Sequence, residues 1–539
     1  MLRRIIDWLE HRTGIETGVR NFLYEDIPAS AGWHQVLGSV ALFCFLIQVF
    51  TGMLLMFNYA PTPGDAYNSV RYIMTELTGG KLIRGLHHWA ASMMIVVVVL
   101  HMTQVFLWGA YKKPREATWL VGLVLLMITL GFGLTGYLLP WDNRAYWGTV
   151  VTTQITANSP GLGPYLERLM GSEGSVGAVT FARFYSLHVM LLPLVMVLLI
   201  GVHIYLVRKH GVTPLADDTA PKKKFFPGQV FKDTVAAFTA FVILFTLAVV
   251  AEAPLGRLAD PTDTTYIPRP EWYFLFLFQM LKFFEGPLEV LGSHVLPGLA
   301  MLALALAPFI DRKQAVKVTQ RTVAIGIVCL GAIAWTSLTV AAIVTTPKQP
   351  EEELADGPRE WADLSPEELA GVGYFRQENC LACHQVGSKG KKIGPDLTRT
   401  ASKRTAAWMI AHFKRPQQMM PGTTMPPIHL PDAQLNALAA FLLKLTPKNA
   451  VAIESAPEVA VEGAMVYQKN RCGICHHVNG VGTKVGPPLN GLHKRRQREW
   501  VEQHFFEPQK LSPGSPMPPY RFTTREMERV VSYLMALAE

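Results

Sequence analysis

The first 345 residues alternate between long apolar runs and short polar loops. A helix needs about 20 mostly apolar residues to cross a bilayer, and seven runs are long enough. They fall at about 33–57, 87–108, 118–139, 185–207, 233–251, 289–310 and 321–344. A shorter run at 272–284 is typical of a helix packed at the membrane face. Charged residues make up only 17% of the chain, against roughly 25% in soluble proteins. The pattern therefore predicts an all-α, seven-span transmembrane bundle.

Positive residues in the short loops predict the direction of this bundle. The N-terminal segment and the loops on its side hold about 17 Lys and Arg residues, and the opposite loops hold about 9. We therefore expect a cytoplasmic N-terminus, with everything after residue 345 outside. The net charge of +9 is spread over these loops, which argues against a nucleic-acid-binding face. Residues 1–32 do not resemble a cleavable signal peptide. They fit an amphipathic helix on the membrane surface or a mobile tail.

Two similar units follow the last span, and each has a CxxCH motif, which attaches c-type haem. Their landmarks are all displaced by the same interval of 92. The first unit has Cys380, Cys383, His384, Gly394, Pro395, Trp408, Pro416 and Met425; the second has Cys472, Cys475, His476, Gly486, Pro487, Trp500, Pro508 and Met517. The repeat predicts duplicated monohaem domains with His and Met as axial ligands. The units resemble class I cytochrome c, which implies two small α-helical domains. Met419 and Met420 are rivals to Met425 but lack counterparts in the second unit. In bacteria this haem is attached outside the cytoplasmic membrane, which agrees with the charge pattern.

Four histidines lie inside two of the predicted spans. His87 and His101 are separated by an interval of 14 on the second span, and His188 and His203 by an interval of 15 on the fourth. At 100° per residue each pair lies on one helix face, about 21 to 22 Å apart along the axis. The two helices run in the same direction, so the pairs share two depths. Because ionisable residues are costly inside a membrane, we predict two stacked bis-histidine haem b sites, His87 with His188 and His101 with His203.

Glycines recur at the same interval on the other two helices of this predicted four-helix core. Gly38 and Gly52 lie 14 apart on the first span, as do Gly122 and Gly136 on the third. Small residues allow neighbouring backbones to come close to a haem plate. Glycine pairs are common in membrane spans, so this pattern supports the histidine argument without standing alone.

Residues 30–210 resemble cytochrome b of bc-type complexes, and most closely the shorter b6 form of the b6f complex. The resemblance is carried by IRGLHHWAASMMIVVVVLH (83–101), GFGLTGYLLPWDNRAYWG (131–148) and ARFYSLHVMLLPLVMVLLIGVH (182–203). The longer interval from His188 to His203 matches the b6 branch. His88 stands where the b6 pattern has Arg. Ligation is assigned to His87 because it keeps the interval of 14 to His101.

This resemblance implies roles for three further residues. Cys44, in LFCFLIQVFTG, matches the cysteine that holds an extra haem by one thioether bond in b6-type proteins; the alternative is a small packing residue. Arg84 and Arg183 lie just outside the predicted outer haem site, which is that of His87 and His188. The resemblance implies that they pair with haem propionates, and the alternative is snorkelling at the interface. Cys329 has no such match and is interpreted as packing, so no disulfide framework is expected.

Residues 225–345 resemble subunit IV of the b6f complex, fused to the b6-like part. The motif that carries this resemblance is Pro270–Glu271–Trp272–Tyr273, in a loop expected outside the membrane. Quinol oxidation releases two protons, and a carboxylate at a membrane edge can accept one. The family uses this Glu in that way, so Glu271 is the candidate acceptor and Tyr273 a hydrogen-bonding neighbour.

The loop at 146–148 is expected to form the other wall of the quinol site and to dock an iron–sulfur protein. The chain has no Rieske-type pair of Cys and His motifs, so a separate Rieske iron–sulfur subunit is expected. The other expected partners are membrane quinone, a downstream cytochrome c or terminal oxidase, and a second copy of the complex.

The sequence as a whole predicts the cytochrome b/c subunit of a proton-translocating quinol:cytochrome c oxidoreductase in a bacterial cytoplasmic membrane. It would oxidise quinol by a Q-cycle, and its c domains would replace cytochrome f or c1. One alternative is a dihaem b anchor that passes electrons to c haems without a Rieske partner or bifurcation. Another is a non-enzymatic electron conduit for a different membrane oxidoreductase.

The chain is accordingly divided into seven predicted segments. In order they are an amphipathic segment, a b6-like domain, a subunit IV-like domain, a linker, the first c domain, a second linker and the second c domain, at 1–32, 33–210, 211–345, 346–366, 367–446, 447–462 and 463–539.

Overall fold

The computed structural model describes residues 2–214, 220–256, 258–261, 266–312, 317–346, 354, 360–399 and 403–538. These residues form two compact units. The first is built from the described chain up to residue 346, and the second from the described chain after it. Most of the predicted first linker, at 347–353 and 355–359, lies outside the described residues.

Seven helices of the first unit are long and apolar enough to cross a membrane. As spans 1 to 7 they are Leu37–Met56, Gly80–Trp108, Glu116–Tyr137, Ala178–His210, Gly228–Val250, Gly286–Ile310 and Thr322–Thr345. The predicted all-α, seven-span architecture is therefore confirmed. Spans 2 and 4 begin about two turns before their apolar runs, because helical hydrogen bonding continues through polar residues such as Lys81 and Arg183.

Span 4 is not a regular α-helix. A π-helical turn at Leu187–Leu191 separates the α-helical parts Ala178–Ser186 and Leu192–His210. Pro193, which follows this turn, has no N–H to donate to the turn before it, and this favours the wider winding. A π turn takes up one residue more than an α turn. The interval of 15 from His188 to His203 therefore covers nearly the same rotation as the interval of 14 on span 2.

Shorter elements of the first unit lie between or before the spans. Its longer non-spanning helices are Leu2–Thr13, Ile15–Leu23, Ala66–Thr75, Asn143–Ala157, Gly163–Met170 and Leu275–Leu281. The first two expose apolar side chains such as Trp8 and Phe22 beside charged ones, as an amphipathic segment requires. The strand Asp26–Ile27 pairs antiparallel with Lys223–Lys224. The run 272–284 forms a short apolar helix, as predicted.

The segment 146–148, expected to be a loop, lies instead within the helix Asn143–Ala157. Asp142 caps this helix: its carboxylate accepts hydrogen bonds from the backbone N–H of Ala145 and of Gly256, both at 2.8 Å. Tyr146 is buried with Trp141 and other aromatic side chains, and docking of an iron–sulfur protein at 146–148 remains a prediction. The sequence pattern missed the helix because its apolar residues do not follow a helical period.

The second unit contains two copies of one helical fold. The principal helices of the first copy are Pro366–Gln377, Ala406–Lys414 and Asp432–Lys444, and those of the second are Glu458–Lys469, Arg498–Phe506 and Thr524–Ala536. Short strands Gln385–Val386 and Lys389–Gly390 form a hairpin in the first copy, and His477–Val478 and Val481–Gly482 do so in the second. The first and last helices of each copy pack closely.

One hydrophobic core runs through both copies. It includes Leu369 and Phe441 of the first copy and Val461 and Val531 of the second, all fully buried. Within the predicted second linker, the short helix Ala450–Glu454 has Ala450 and Ile453 in this core. The helix Glu458–Lys469 also begins inside that segment. The joint between the copies is therefore packed and helical.

Candidate functional site

Spans 2 and 4 bring their four histidines together in two pairs. The ring centroids of His87 and His188 are 6.4 Å apart, with the rings inclined at 69°. His101 and His203 also lie near one another and form the second pair. The facing pairs predicted from the helix period are thus present in the fold.

Each of these imidazole rings lies against a glycine of span 1 or span 3. A Cβ atom added to the glycine would lie close to the imidazole Cε1 in all four contacts: Gly52–His87 at 3.2 Å, Gly136–His188 at 2.5 Å, Gly38–His101 at 3.4 Å and Gly122–His203 at 3.3 Å. The four glycines are those noted in the sequence. A larger residue at these positions would push the ring out of place, so the glycines form a cradle in which paired imidazoles fit the two sides of a haem.

Two threonines fix the rings of the pair His87 and His188, which the sequence analysis predicts to be the outer pair. Thr51 Oγ1 lies 2.9 Å from His87 Nδ1, and Thr135 Oγ1 lies 3.1 Å from His188 Nδ1. Each hydroxyl donates its own hydrogen to a backbone carbonyl one turn earlier, at 2.6 and 2.8 Å. The hydroxyl must therefore accept a hydrogen bond from Nδ1–H. This leaves the lone pair of Nε2 free, which is the state in which an imidazole binds a metal.

Sequence reasoning missed both threonines, although a signal was present. Each precedes one of the cradle glycines, as Thr51–Gly52 and Thr135–Gly136. A repeated Thr-Gly pair on the two helices that flank the histidines could have identified them.

The loop with Glu271 packs on spans 2 and 3. Trp272 Nε1 donates a hydrogen bond to Ser92 Oγ on span 2, at 3.3 Å. A Cβ atom on Gly133 of span 3 would lie 3.0 Å from the Tyr273 hydroxyl. Burial, and after it the neighbouring Glu271, raises the pKa of Tyr273. The hydroxyl therefore stays protonated and able to donate a hydrogen bond.

The Glu271 carboxylate is 17% exposed, and its Oε1 lies 3.4 Å from the guanidinium of Arg144. Arg144 belongs to the helix Asn143–Ala157, which therefore forms a second side of this site. Gly148 of the same helix faces Tyr137, whose hydroxyl donates to the carbonyl of Arg269 at 2.9 Å. Arg144 was not identified from the sequence. It is the one basic residue in the stretch 131–148.

The two CxxCH motifs have the same local geometry. A 3-10 turn at Cys380–Ala382, and another at Cys472–Ile474, each follow a residue with positive φ. His384 Nδ1 lies 2.9 Å from the carbonyl of Pro395, and His476 Nδ1 lies 2.9 Å from the carbonyl of Pro487. A carbonyl can only accept, so Nδ1 carries the hydrogen and Nε2 is free for a metal.

Glycine and methionine complete the match between the copies. A Cβ atom added to Gly394 would lie 2.7 Å from His384 Cε1, and one added to Gly486 would lie 2.6 Å from His476 Cε1. Met425 and Met517 are both partly buried against the shared core. The rival Met420 is 45% exposed, as an axial ligand would not be. The donor sets of both copies therefore fit a c-type haem.

Comparison with known proteins agrees with these features. A family model described as cytochrome b/b6/petB matches residues 26–211, and one described as cytochrome b (C-terminal)/b6/petD matches 258–354. A cytochrome c family model matches twice, at 369–446 and 460–538. Over 318 residues the chain is 36% identical to a cytochrome bc complex cytochrome b subunit of Chlorobaculum thiosulfatiphilum, which covers 57% of this chain and 74% of that protein. The chain belongs to the cytochrome b subunits of bc complexes.

This cytochrome b joins the N- and C-terminal parts of its family in one polypeptide with two cytochrome c domains. Its fold is also similar to a chain of a solved structure described as a hyperthermophilic respiratory Complex III. That match has a TM-score of 0.57 and 29% identity, and it covers 64% of this chain and 92% of the other. The protein is thus a multi-pass electron-transfer subunit of a bc complex, a quinol–cytochrome c oxidoreductase with other subunits. Cytochrome b implies haem b, and the two c domains imply two haem c.

The surroundings of Cys44 do not by themselves indicate a haem. The cysteine is wholly buried and packs in an apolar cluster with Met94, Met196 and Ala240. A haem joined to its thiol would require these side chains to move aside. The arrangement fits the packing alternative, and the extra haem remains a prediction from the resemblance to b6.

Arg84 and Arg183 of this cytochrome b both donate hydrogen bonds to backbone carbonyls outside the spans. Arg84 donates to the carbonyls of Ala253 and Pro254, at 2.8 and 2.6 Å. Arg183 donates to the carbonyl of Leu169 at 2.9 Å. These contacts hold those segments beside the outer histidine pair, and the pairing with haem propionates remains a prediction.

The glycine cradle can be tested at its tightest contact. We expect Gly136→Ala to displace the His188 ring and to weaken or abolish the absorbance of one of the low-spin b haems. Gly201→Ala on span 4 is the matched control, because a Cβ atom there meets nothing within 4 Å. Reduced-minus-oxidised spectra of the purified complex measure the b-haem absorbance of both variants. Equal b-haem absorbance in the two variants would contradict the cradle.

Proposed function

We propose that this chain is the cytochrome b/c subunit of a complex that oxidises membrane quinol by a Q-cycle. The complex delivers electrons to the c haems and releases protons outside the membrane. The observation that carries the proposal is the packing of the Glu271 loop on the spans that hold the outer histidine pair. Its contacts with Ser92 and Gly133 lie within about one and a half turns of His87 and of Gly136. A quinol at Glu271 would lie beside a haem held by that pair.

The haem ligands follow from the paired geometry. His87 with His188, and His101 with His203, are proposed to hold one haem b each. Cys380 and Cys383 would bond one haem c, with His384 and Met425 as axial ligands. Cys472 and Cys475 would bond the other, with His476 and Met517. When bound, these haems supply one-electron carriers.

Residues of the Glu271 loop would act directly on the quinol. Glu271 accepts a proton from a quinol hydroxyl as an electron leaves to the separate iron–sulfur subunit. Tyr273, which stays protonated, donates a hydrogen bond to a quinol oxygen. Pro270 restricts the backbone before Glu271, and Trp272 fixes the loop through its bond to Ser92.

The assembly would lie in a bacterial cytoplasmic membrane with the N-terminus inside and the c domains outside. The positive residues of the loops support this direction. Its partners would be a Rieske subunit, a second copy of the complex, and a downstream cytochrome c or terminal oxidase. The alternative of a dihaem anchor without bifurcation does not call for the Glu271 loop or for the subunit IV-like part.

The haem ligands can be distinguished from their neighbours on span 2. We expect His87→Ala to remove one of two low-spin b-haem signals, because His188 loses its partner. His88→Ala, at the adjacent position, should retain both signals. Optical redox titration counts them. Retention of both signals in the His87 variant would contradict the assignment.

The cysteine on span 1 is tested by haem staining after denaturing electrophoresis. When Cys380, Cys383, Cys472 and Cys475 are all replaced by Ala, the resemblance predicts a remaining covalent stain. Adding Cys44→Ala should remove that stain. If the fourfold variant already shows none, Cys44 is a packing residue and the chain carries two covalent haems.

The quinol site is tested by Glu271→Gln, with Glu252→Gln as the control. Glu252 lies in the same external loop but is exposed and pairs with Lys81. Loss of the proton acceptor should lower kcat for quinol oxidation by at least about 100-fold, whereas the control should match the parent.

Oxidant-induced reduction of haem b should be seen in the parent, since it requires bifurcation. Unchanged turnover in Glu271→Gln would exclude this residue as the acceptor, and absence of oxidant-induced reduction would favour the dihaem anchor.

A further inference from the structure

We infer that Arg144 is a positioning residue of the quinol site that orients the Glu271 carboxylate before each proton transfer. This inference rests on the proposed function and deepens it. It does not follow from the Glu271 motif, because Arg144 is distant from that motif in the chain and lies on a different element.

The position of Arg144 is rigidly determined. It is the second residue of the helix Asn143–Ala157, whose cap Asp142 is bonded both to Ala145 and to Gly256 of another loop. The backbone N–H of Asp260 donates to Asn143 Oδ1 at 2.6 Å in the same region. A guanidinium on a helix start that is anchored in this way can define where its partner carboxylate lies.

Glu271 is the acid that matches this guanidinium. Among the described residues, it alone places a carboxylate within 4 Å of Arg144. Asp142 is a neighbour in sequence, but its oxygens accept from two backbone N–H groups. The guanidinium also lies 5.9 Å from the Tyr137 ring centroid. Arg144 is 35% exposed and Glu271 is 17% exposed, so water screens their attraction only in part.

The pair has a chemical consequence for each turnover. A carboxylate can accept a proton only when one of its oxygens faces the quinol hydroxyl, and the guanidinium 3.4 Å from Oε1 fixes the orientation of the carboxylate. When quinol reacts, its O–H bond breaks and an O–H bond forms on Glu271, while one electron goes to the iron–sulfur acceptor. The neutral carboxyl group then loses its attraction to Arg144. The proton then leaves the carboxyl group towards the outside, and the ion pair with Arg144 forms again.

Steady-state kinetics of the purified complex with its iron–sulfur subunit can test this role. The probes are a short-chain ubiquinol analogue and a short-chain menaquinol analogue. We expect Arg144→Gln to lower kcat about tenfold, because the carboxylate is no longer held in its reactive orientation. KM should change less than about twofold, because quinol binding is retained. Arg144→Lys keeps the charge and should restore at least about half of kcat. The double variant with Glu271→Gln should be no slower than Glu271→Gln alone, since the two residues act as one unit.

The matched control is Arg168→Gln. Arg168 forms an exposed pair with Glu173, at 3.3 Å, away from the Glu271 loop, and its loss should leave kcat unchanged. Arg144→Met serves as a second neutral variant if Arg144→Gln fails to assemble, as judged by the b-haem spectrum. Unchanged kcat in the neutral variants, no recovery with lysine, or losses that multiply in the double variant would each overturn the inference.

The same data separate this inference from the proposed function. If neither the ubiquinol analogue nor the menaquinol analogue is oxidised by the parent or by Arg168→Gln, the proposed function itself fails. If the parent is active and Glu271→Gln is not, while the neutral Arg144 variants match the parent, only the role of Arg144 fails.

Discussion

The close approach of imidazole to glycine is the contact on which the membrane part depends. Four times, a histidine of span 2 or 4 rests on a glycine of span 1 or 3. A protein interior tolerates added volume poorly, so these positions allow little choice of residue. The contact sets how near the helices can come, which way each ring points, and where its free nitrogen lies. The threonine beside each outer glycine then selects the tautomer. Helix packing and metal chemistry are therefore specified by the same few atoms.

The seven spans and the paired histidines could be predicted from the sequence because membrane helices have strict requirements of length and composition. A span must be about 20 residues long and apolar, so an ionisable residue inside it stands out. The interval between His87 and His101 then shows directly that both residues lie on one face of the helix. The c domains were equally accessible, because duplication displaces every landmark by the same interval. In both cases the prediction used spacing along the chain, which does not depend on tertiary contacts.

What escaped prediction depends on contacts between elements. The π turn at Leu187–Leu191 compensates for the extra residue between His188 and His203, and a uniform rotation per residue cannot show it. The segment 146–148 is predicted as a loop, but it lies in the helix Asn143–Ala157. The pattern does not show this helix because an anchored cap and aromatic packing hold it, and its apolar residues follow no amphipathic period. Arg144 was missed for the same reason, since its partner Glu271 is distant in sequence. The packed joint at 450–454 resembled a linker because small residues can serve either purpose.

The shared interior of the two c copies has a consequence for how this part of the protein folds. Each copy contributes side chains to one continuous core, so removing either copy would expose apolar surface of the other. Burial of that surface couples their stabilities, and a substitution that unfolds one copy is therefore expected to destabilise the other as well.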